Sequence, residues 1–215
     1  MIKYLLFDLD GTLTDSKEGI LNAVVYALSK FGIEEKDRTR LMTFIGPPFY
    51  DNVIEQYGLS PDDAEIAVKY FREYYAQNGM YENTVYEGIT DMLDALKKDG
   101  KTLILATSKP EAFACRILEH FSLDRYFDKV FGATLDGSRR KKTDVIAYAL
   151  MDLGIAANDA VMIGDRKYDV EGGHKCGLLS VGVLYGYGDR EEMVVAEADM
   201  IAADVDELKK ILEKI

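Results

Sequence analysis

The segment Leu5–Ser16 reads LLFDLDGTLTDS, an apolar run that ends in two aspartates one residue apart, then a glycine and two threonines. In extended chain Asp8 and Asp10 project to the same side. Two carboxylates so placed repel unless a cation lies between them or one is protonated. A hard divalent ion, which takes oxygen ligands, relieves that repulsion. Three further polar clusters follow apolar runs or open helical patterns: Thr107-Ser108-Lys109, Lys141-Lys142, and Gly164-Asp165 through Asp169. Each alone fits an ordinary turn or helix start. Together they make a site only if the fold brings them to one place.

The elements that must do so are legible in the hydrophobic pattern. Lys3–Phe7, Thr102–Ala106, Lys129–Phe131, Ala160–Ile163 and Ser180–Val183 read as buried strands. Gly88–Asp99 sets Ile89, Met92, Leu93 and Leu96 on one helical face and stops at Gly100. Thr143–Leu153 does the same with Val145, Ile146, Ala149 and Leu150, and stops at Gly154. Strands alternating with helices predict an α/β fold with a doubly wound, mainly parallel sheet and a Rossmann-like core. Parallel strands put all their C-terminal ends on one edge, so the four clusters should converge there. Three acids, a hydroxyl and an ammonium would then surround one point.

From Ser16 to Asn83 the alternation stops. Lys17–Phe31 is apolar at helical spacing, and Ser60-Pro61-Asp62-Asp63 opens a second helix that should end near Gly79. Tyr70, Phe71, Tyr74 and Tyr75 on that helix read as packing residues. The expectation is a catalytic core of residues 1–15 and 84–215, with a small helical cap, residues 16–83, inserted after the first strand. Such a cap would overhang the strand's C-terminal end, where ligands bind in open α/β sheets. Between two cap helices lies Phe44–Tyr50, stiffened by Pro47 and Pro48. Its aromatics have two readings, stacking on the base of a nucleotide or packing inside the cap.

Composition narrows the partners. The 215-residue chain is 48% hydrophobic and carries a formal net charge of -12, the opposite of a nucleic-acid polymer's usual binder. No apolar run approaches the roughly 18 residues of a membrane span, and acids interrupt the N-terminus where a signal peptide would be apolar. Cys115 and Cys176 fit neither a metal spacing nor a disulfide framework and read as core thiols in a reducing, cytoplasmic setting. His120 and His174 receive no role, and nothing in the pattern specifies an oligomeric state. The expected partner comes from the four clusters, whose acids, hydroxyl and ammonium match the needs of phosphate-ester cleavage: a small phosphorylated metabolite. A phosphoryl group in transfer spreads charge over oxygens that a metal and a lysine can offset. One carboxylate can attack phosphorus, and a second can protonate the leaving alcohol and later activate water.

FDLDGT, TSK, a lysine at a helix start and GDRKYD, in that order, resemble the haloacid dehalogenase superfamily of phosphatases. The likeness spans Asp8 to Asp169, and the helical insert falls where that superfamily carries its cap. The resemblance implies Asp8 as nucleophile and Asp10 as general acid/base. It implies that Thr107, Ser108 and Lys142 hold the substrate phosphate, with Lys142 preferred to Lys141 because it directly precedes the helix. Mg2+ would be bound by the Asp8 carboxylate, the Asp10 backbone carbonyl and Asp165, with Asp169 in support. An acid at position 10 disfavours the dehalogenase and phosphonatase branches. DGSRRKKTDVIAYAL, MIGDRKYDVEGG and VGVLYGYG look most like the 5'-nucleotidase-type branch, beside phosphoglycolate phosphatases. Thr143 departs from relatives that place proline after the lysine. Three alternatives stand beside this reading: a β-phosphoglucomutase-like phosphoryl transfer, a non-catalytic phosphate-binding relative, and a receiver-like signalling domain. The receiver is the poorest match, because its acid pair is adjacent and it has no helical insert.

Overall fold

The structure is a computed structural model that describes residues 2–46 and 49–215. Pro47 and Pro48, the stiff pair of the expected loop, lie outside the described residues. In chain order the strands are β1 (Tyr4–Phe7), β2 (Thr14–Asp15), β3 (Thr84–Val85), β4 (Thr102–Pro110), β5 (Lys129–Ala133), β6 (Ala160–Gly164), β7 (Leu179–Val183) and β8 (Met200–Ala202). The chain divides into two compact units, residues 1–15 with 85–215, and residues 16–84.

The first unit is built on a six-stranded sheet in the order β5-β4-β1-β6-β7-β8, parallel throughout. β1 sits inside it with a neighbour on each edge, so Leu5, Leu6 and Phe7 are fully buried. That is why the first strand reads as an unbroken apolar run and not as an alternation. The flanking helices are α5 (Ile89–Lys98), α6 (Glu111–His120), α7 (Lys142–Leu153), α8 (Lys167–Lys175), α9 (Arg190–Val195) and α10 (Val205–Leu212), following α1 to α4 of the second unit. On one face Leu6, Ile104, Ala106 and Met162 meet Val145, Ile146 and Ala149 of α7. The sheet thus fixes where α7 begins, which matters for the lysine at its start. From β1 the chain steps outward to β4 and β5, then returns to β6 on the other side. That reversal beside β1 opens the crevice typical of doubly wound sheets.

The second unit holds α1 (Lys17–Ser29), α2 (Arg38–Met42), α3 (Phe49–Tyr57) and α4 (Pro61–Tyr74). Ser60 caps α4, its hydroxyl accepting from Asp63 N at 3.1 Å with proline at the first helical position. The α-helix stops at Tyr74 and the last stretch, Tyr75–Gly79, winds as a π turn, short of a continuous helix to Gly79. Phe49 stacks on Phe71 with ring centroids 4.8 Å apart, and Phe71 lies parallel to Tyr75 at 5.7 Å. Phe44 is buried against Phe49 and Tyr57. Phe44 and Phe49 are therefore packing residues of this unit, and Tyr50 is half-buried.

Cys115 and Cys176 are free and half-buried, less enclosed than core thiols. No helix among the described residues is long and apolar enough to cross a membrane.

Candidate active site

Register brings the polar clusters together. Phe7 stands opposite Leu105 on β4 and Ile163 on β6, so the next residues along, Asp8, Ala106 and Gly164, reach the same edge side by side. Asp8 N donates to Ile163 O at 2.9 Å, the last ladder bond before the loop. Two residues past Phe7's partners lie Thr107, 1% exposed, and Asp165, fully buried. The loop after Asp10 then turns tightly at Gly11, whose φ of +80° no side-chain-bearing residue adopts readily. A Cβ at Gly11 would also stand 2.1 Å from Asp165 Oδ2. Glycine is what lets the two aspartate loops close on each other.

Lys142 is the first residue of α7, and its side chain turns into the sheet edge while Lys141, at the N-cap, is exposed. The Lys142 ammonium lies 2.7 Å from Asp8 Oδ1 and 2.7 Å from Asp169 Oδ1, and donates to Ala106 O at 3.1 Å. Asp169 occupies the first turn of α8, where its second oxygen accepts from Arg166 N at 3.1 Å and caps the helix. Asp165 accepts from Tyr187 N at 2.8 Å and, at 3.4 Å, from the buried Thr12 hydroxyl. Thr107 Oγ1 accepts from Lys109 N at 3.2 Å, and Ser108 is exposed. Asp10 turns its carboxylate to Lys109, with Nζ 2.6 Å from Oδ2.

Carboxylate oxygens of Asp8, Asp165 and Asp169 lie within 4.8 Å of one another. Burial, then the charges of Asp169 and Asp8, push the Asp165 carboxyl well above its usual range. Burial raises Asp169 to about 6 against the pull of Lys142. Burial opposes the charge on Lys142, yet Asp169 and Asp8 outweigh it and hold the ammonium above its ordinary value. Three acids thus share one ammonium, and the surplus negative charge in a buried, oxygen-only donor set suits a divalent cation such as Mg2+. Both Asp169 oxygens are already engaged, Oδ1 by Lys142 and Oδ2 by the helix cap.

A scan against protein families matches residues 5–183 to the haloacid dehalogenase-like hydrolases. The chain belongs to this family. A 5'-nucleotidase of Pseudomonas aeruginosa is 43% identical over 97% of this chain and 95% of its own. The tyrosine-protein kinase PtkA of Mycobacterium tuberculosis is 37% identical over 97% of this chain and 72% of its own. The crystal structure of a predicted phosphatase from Clostridium acetobutylicum superposes with a TM-score of 0.95 at 48% identity, covering 100% of both chains. Within the haloacid dehalogenase-like hydrolases the chain is a phosphatase, a phosphoric monoester hydrolase.

Two parts of this hydrolase site were not assigned from sequence. Lys109 lies in a cluster noted for its ammonium, but nothing local says that the ammonium meets Asp10. The tyrosines of VLYGYG follow β7: Tyr185 OH donates to Thr12 O at 3.0 Å, and Tyr187 OH to Asp15 Oδ1 at 2.9 Å. Burial, with Asp165 and Tyr86 nearby, raises the Tyr185 phenol, so it stays a donor. The only sequence signal was the repeated Tyr-Gly just past a strand end.

Proposed function

We propose that the protein is a Mg2+-dependent phosphatase that hydrolyses a small phosphate monoester, of 5'-nucleotide or phosphoglycolate type, through an aspartyl-phosphate on Asp8. The observation that carries this reading is the Lys142 ammonium bridging Asp8 and Asp169 at 2.7 Å each, with Asp165 in the same cluster. Asp8 is the carboxylate at the end of β1, its side chain 13% exposed where Asp165 and Asp169 are buried. Of the three clustered acids, Asp8 is thus the one with surface left to meet a substrate.

Asp8 attacks phosphorus, and the bond to the ester oxygen breaks as Asp10 protonates the departing alcohol. Asp10 then takes a proton from water, whose oxygen attacks the phosphoryl group and returns Asp8 to its carboxylate. Lys142, Thr107 and Ser108 bind the phosphoryl oxygens, where charge spread is greatest. The Asp8 carboxylate, the Asp10 carbonyl and Asp165 would hold Mg2+, which would supply electrostatic compensation for the dianion. Asp169 keeps Lys142 in place.

The substrate class is supported by the 5'-nucleotidase relative and by the motifs that resemble the 5'-nucleotidase-type branch, beside phosphoglycolate phosphatases. Phosphate release should be measured across phosphoglycolate, nucleoside 5'-monophosphates, sugar phosphates and pyrophosphate, in Mg2+ and in excess chelator. Release from one or a few small monoesters, lost with chelator, is the expected result. Transfer of phosphate to protein tyrosine without release, as the PtkA name would suggest, would replace this reading.

A further inference from the structure

The end of β4 delivers a lysine to which the mechanism above gives no part. β4 pairs with β5 in register from Ile104 to Ala106, then slips, and pairing resumes only at Pro110 with Ala133. Thr107, Ser108 and Lys109 occupy the irregular stretch, a device that re-aims side chains at sheet edges. The stretch rests on Gly132, where a Cβ would stand 2.7 Å from Lys109 O and 2.6 Å from Glu111 Cα. The backbone of Lys109 is thus pressed into place from β5. Its side chain is only 7% exposed and spans to Asp10, whose side chain is 21% exposed, with Nζ 2.6 Å from Oδ2. The other oxygen, Asp10 Oδ1, is buried and makes no hydrogen bond among the described residues.

Stability does not account for this arrangement. A buried ion pair is seldom a net source of stability, and apolar residues of similar volume often replace it without loss. What a short charge-assisted hydrogen bond does supply is orientation. We propose that Lys109 is the positioning residue for Asp10 in the second half of the reaction. By holding Oδ2 it fixes the plane of the carboxylate and leaves Oδ1 as the oxygen that accepts the proton from water. In that step the water oxygen bonds to phosphorus and its proton passes to Oδ1. The phosphorus–oxygen bond to Asp8 breaks, with its electron pair returning to the Asp8 carboxylate and inorganic phosphate departing. The inference rests on the phosphatase reading and adds a residue to it.

p-Nitrophenyl phosphate separates the two halves, because p-nitrophenolate leaves without needing a proton. In rapid-mixing experiments with Mg2+, Lys109→Met should release about one equivalent of nitrophenolate quickly, then turn over about tenfold or more slowly than wild type, the scale of loss expected for a misplaced catalytic group. Acid quench and mass spectrometry should find phosphate retained on Asp8. Lys109→Arg should recover most of the lost steady rate, and Lys109→Gln, which keeps a donor without the charge, should fall between. Circular dichroism establishes that each variant is folded, and Lys109→Gln carries the test if Lys109→Met is not. A steady rate unchanged in the folded variant overturns the proposal, as does a burst that slows in step with it, which marks general damage. Wild-type protein that releases no phosphate from any ester overturns the phosphatase reading, and this inference with it.

Discussion

At the scale of single residues, the site is governed by a shortage of positive charge. Lys142 faces Asp8 and Asp169 together, while Asp165 completes the carboxylate cluster. Removing the ammonium leaves buried acids uncompensated, a loss that typically costs about 3–5 kcal/mol. Lys142→Met should therefore lower the thermal midpoint of metal-free protein at pH 7. Much of the loss should return near pH 5, where Asp169, which takes its proton at about 6 even against the pull of Lys142, is neutral. Calorimetry at the two pH values checks this, and an equal loss at both would mean that packing, not charge, was removed. Asp8→Asn is the complementary change: it keeps the shape but removes the carboxylate proposed to attack phosphorus. Turnover should fall to background in a folded protein, with no phosphate trapped on the chain by acid quench. The types and order of Asp8, Asp10, Thr107, Lys142 and Asp165 were readable because each follows an apolar run or opens a helix. The Lys109–Asp10 and Tyr187–Asp165 contacts were not, since they join residues far apart whose neighbours carry no trace of the pairing.

At the scale of elements, α8 combines two tasks in one side chain. Asp169 Oδ2 caps the helix through Arg166 N, and Oδ1 holds Lys142. Asparagine can accept the capping bond but cannot match the charge, whereas alanine does neither. Asp169→Ala should thus be less stable than Asp169→Asn by about 1 kcal/mol, the usual worth of a capping side chain. Both variants should show similar losses of turnover. Urea titration alongside phosphate release separates the two tasks. The strands that frame this helix were legible for the same reason that they are central: burial on both faces demands continuous apolar residues. β8, only Met200–Ala202 and at the sheet edge, offers too short a run to read. The extension of β4 to Pro110 was equally hidden, because an irregular strand has no fixed period. The π turn after α4 keeps the helical composition expected to Gly79, so only its hydrogen bonding differs.

At the scale of the whole molecule, the raised carboxyls link stability to pH. Asp169 binds its proton up to about pH 6 in the folded protein, against an ordinary value of 3.8. Across that window the folded state holds more protons than the unfolded one, so metal-free stability should fall as pH rises from about 4 to 6. On the proposed reading Mg2+ favours the ionised cluster, so its addition should reverse the trend. Its addition is expected to raise the thermal midpoint more at pH 7 than at pH 5, by linkage to the folded state alone. A shift equal at both pH values would place Mg2+ elsewhere on this acidic surface. The division of the chain has a further consequence, for biosynthesis. β1, which carries Asp8, precedes both of its sheet partners, β4 and β6, in the chain, the second beginning only at Ala160. The helical unit, by contrast, is one continuous stretch, residues 16–84. Local contacts form early and distant strand pairings late. On a growing chain the apolar strand that bears Asp8 therefore waits incompletely paired until β6 has followed it, so the helical unit can fold before the candidate site is assembled.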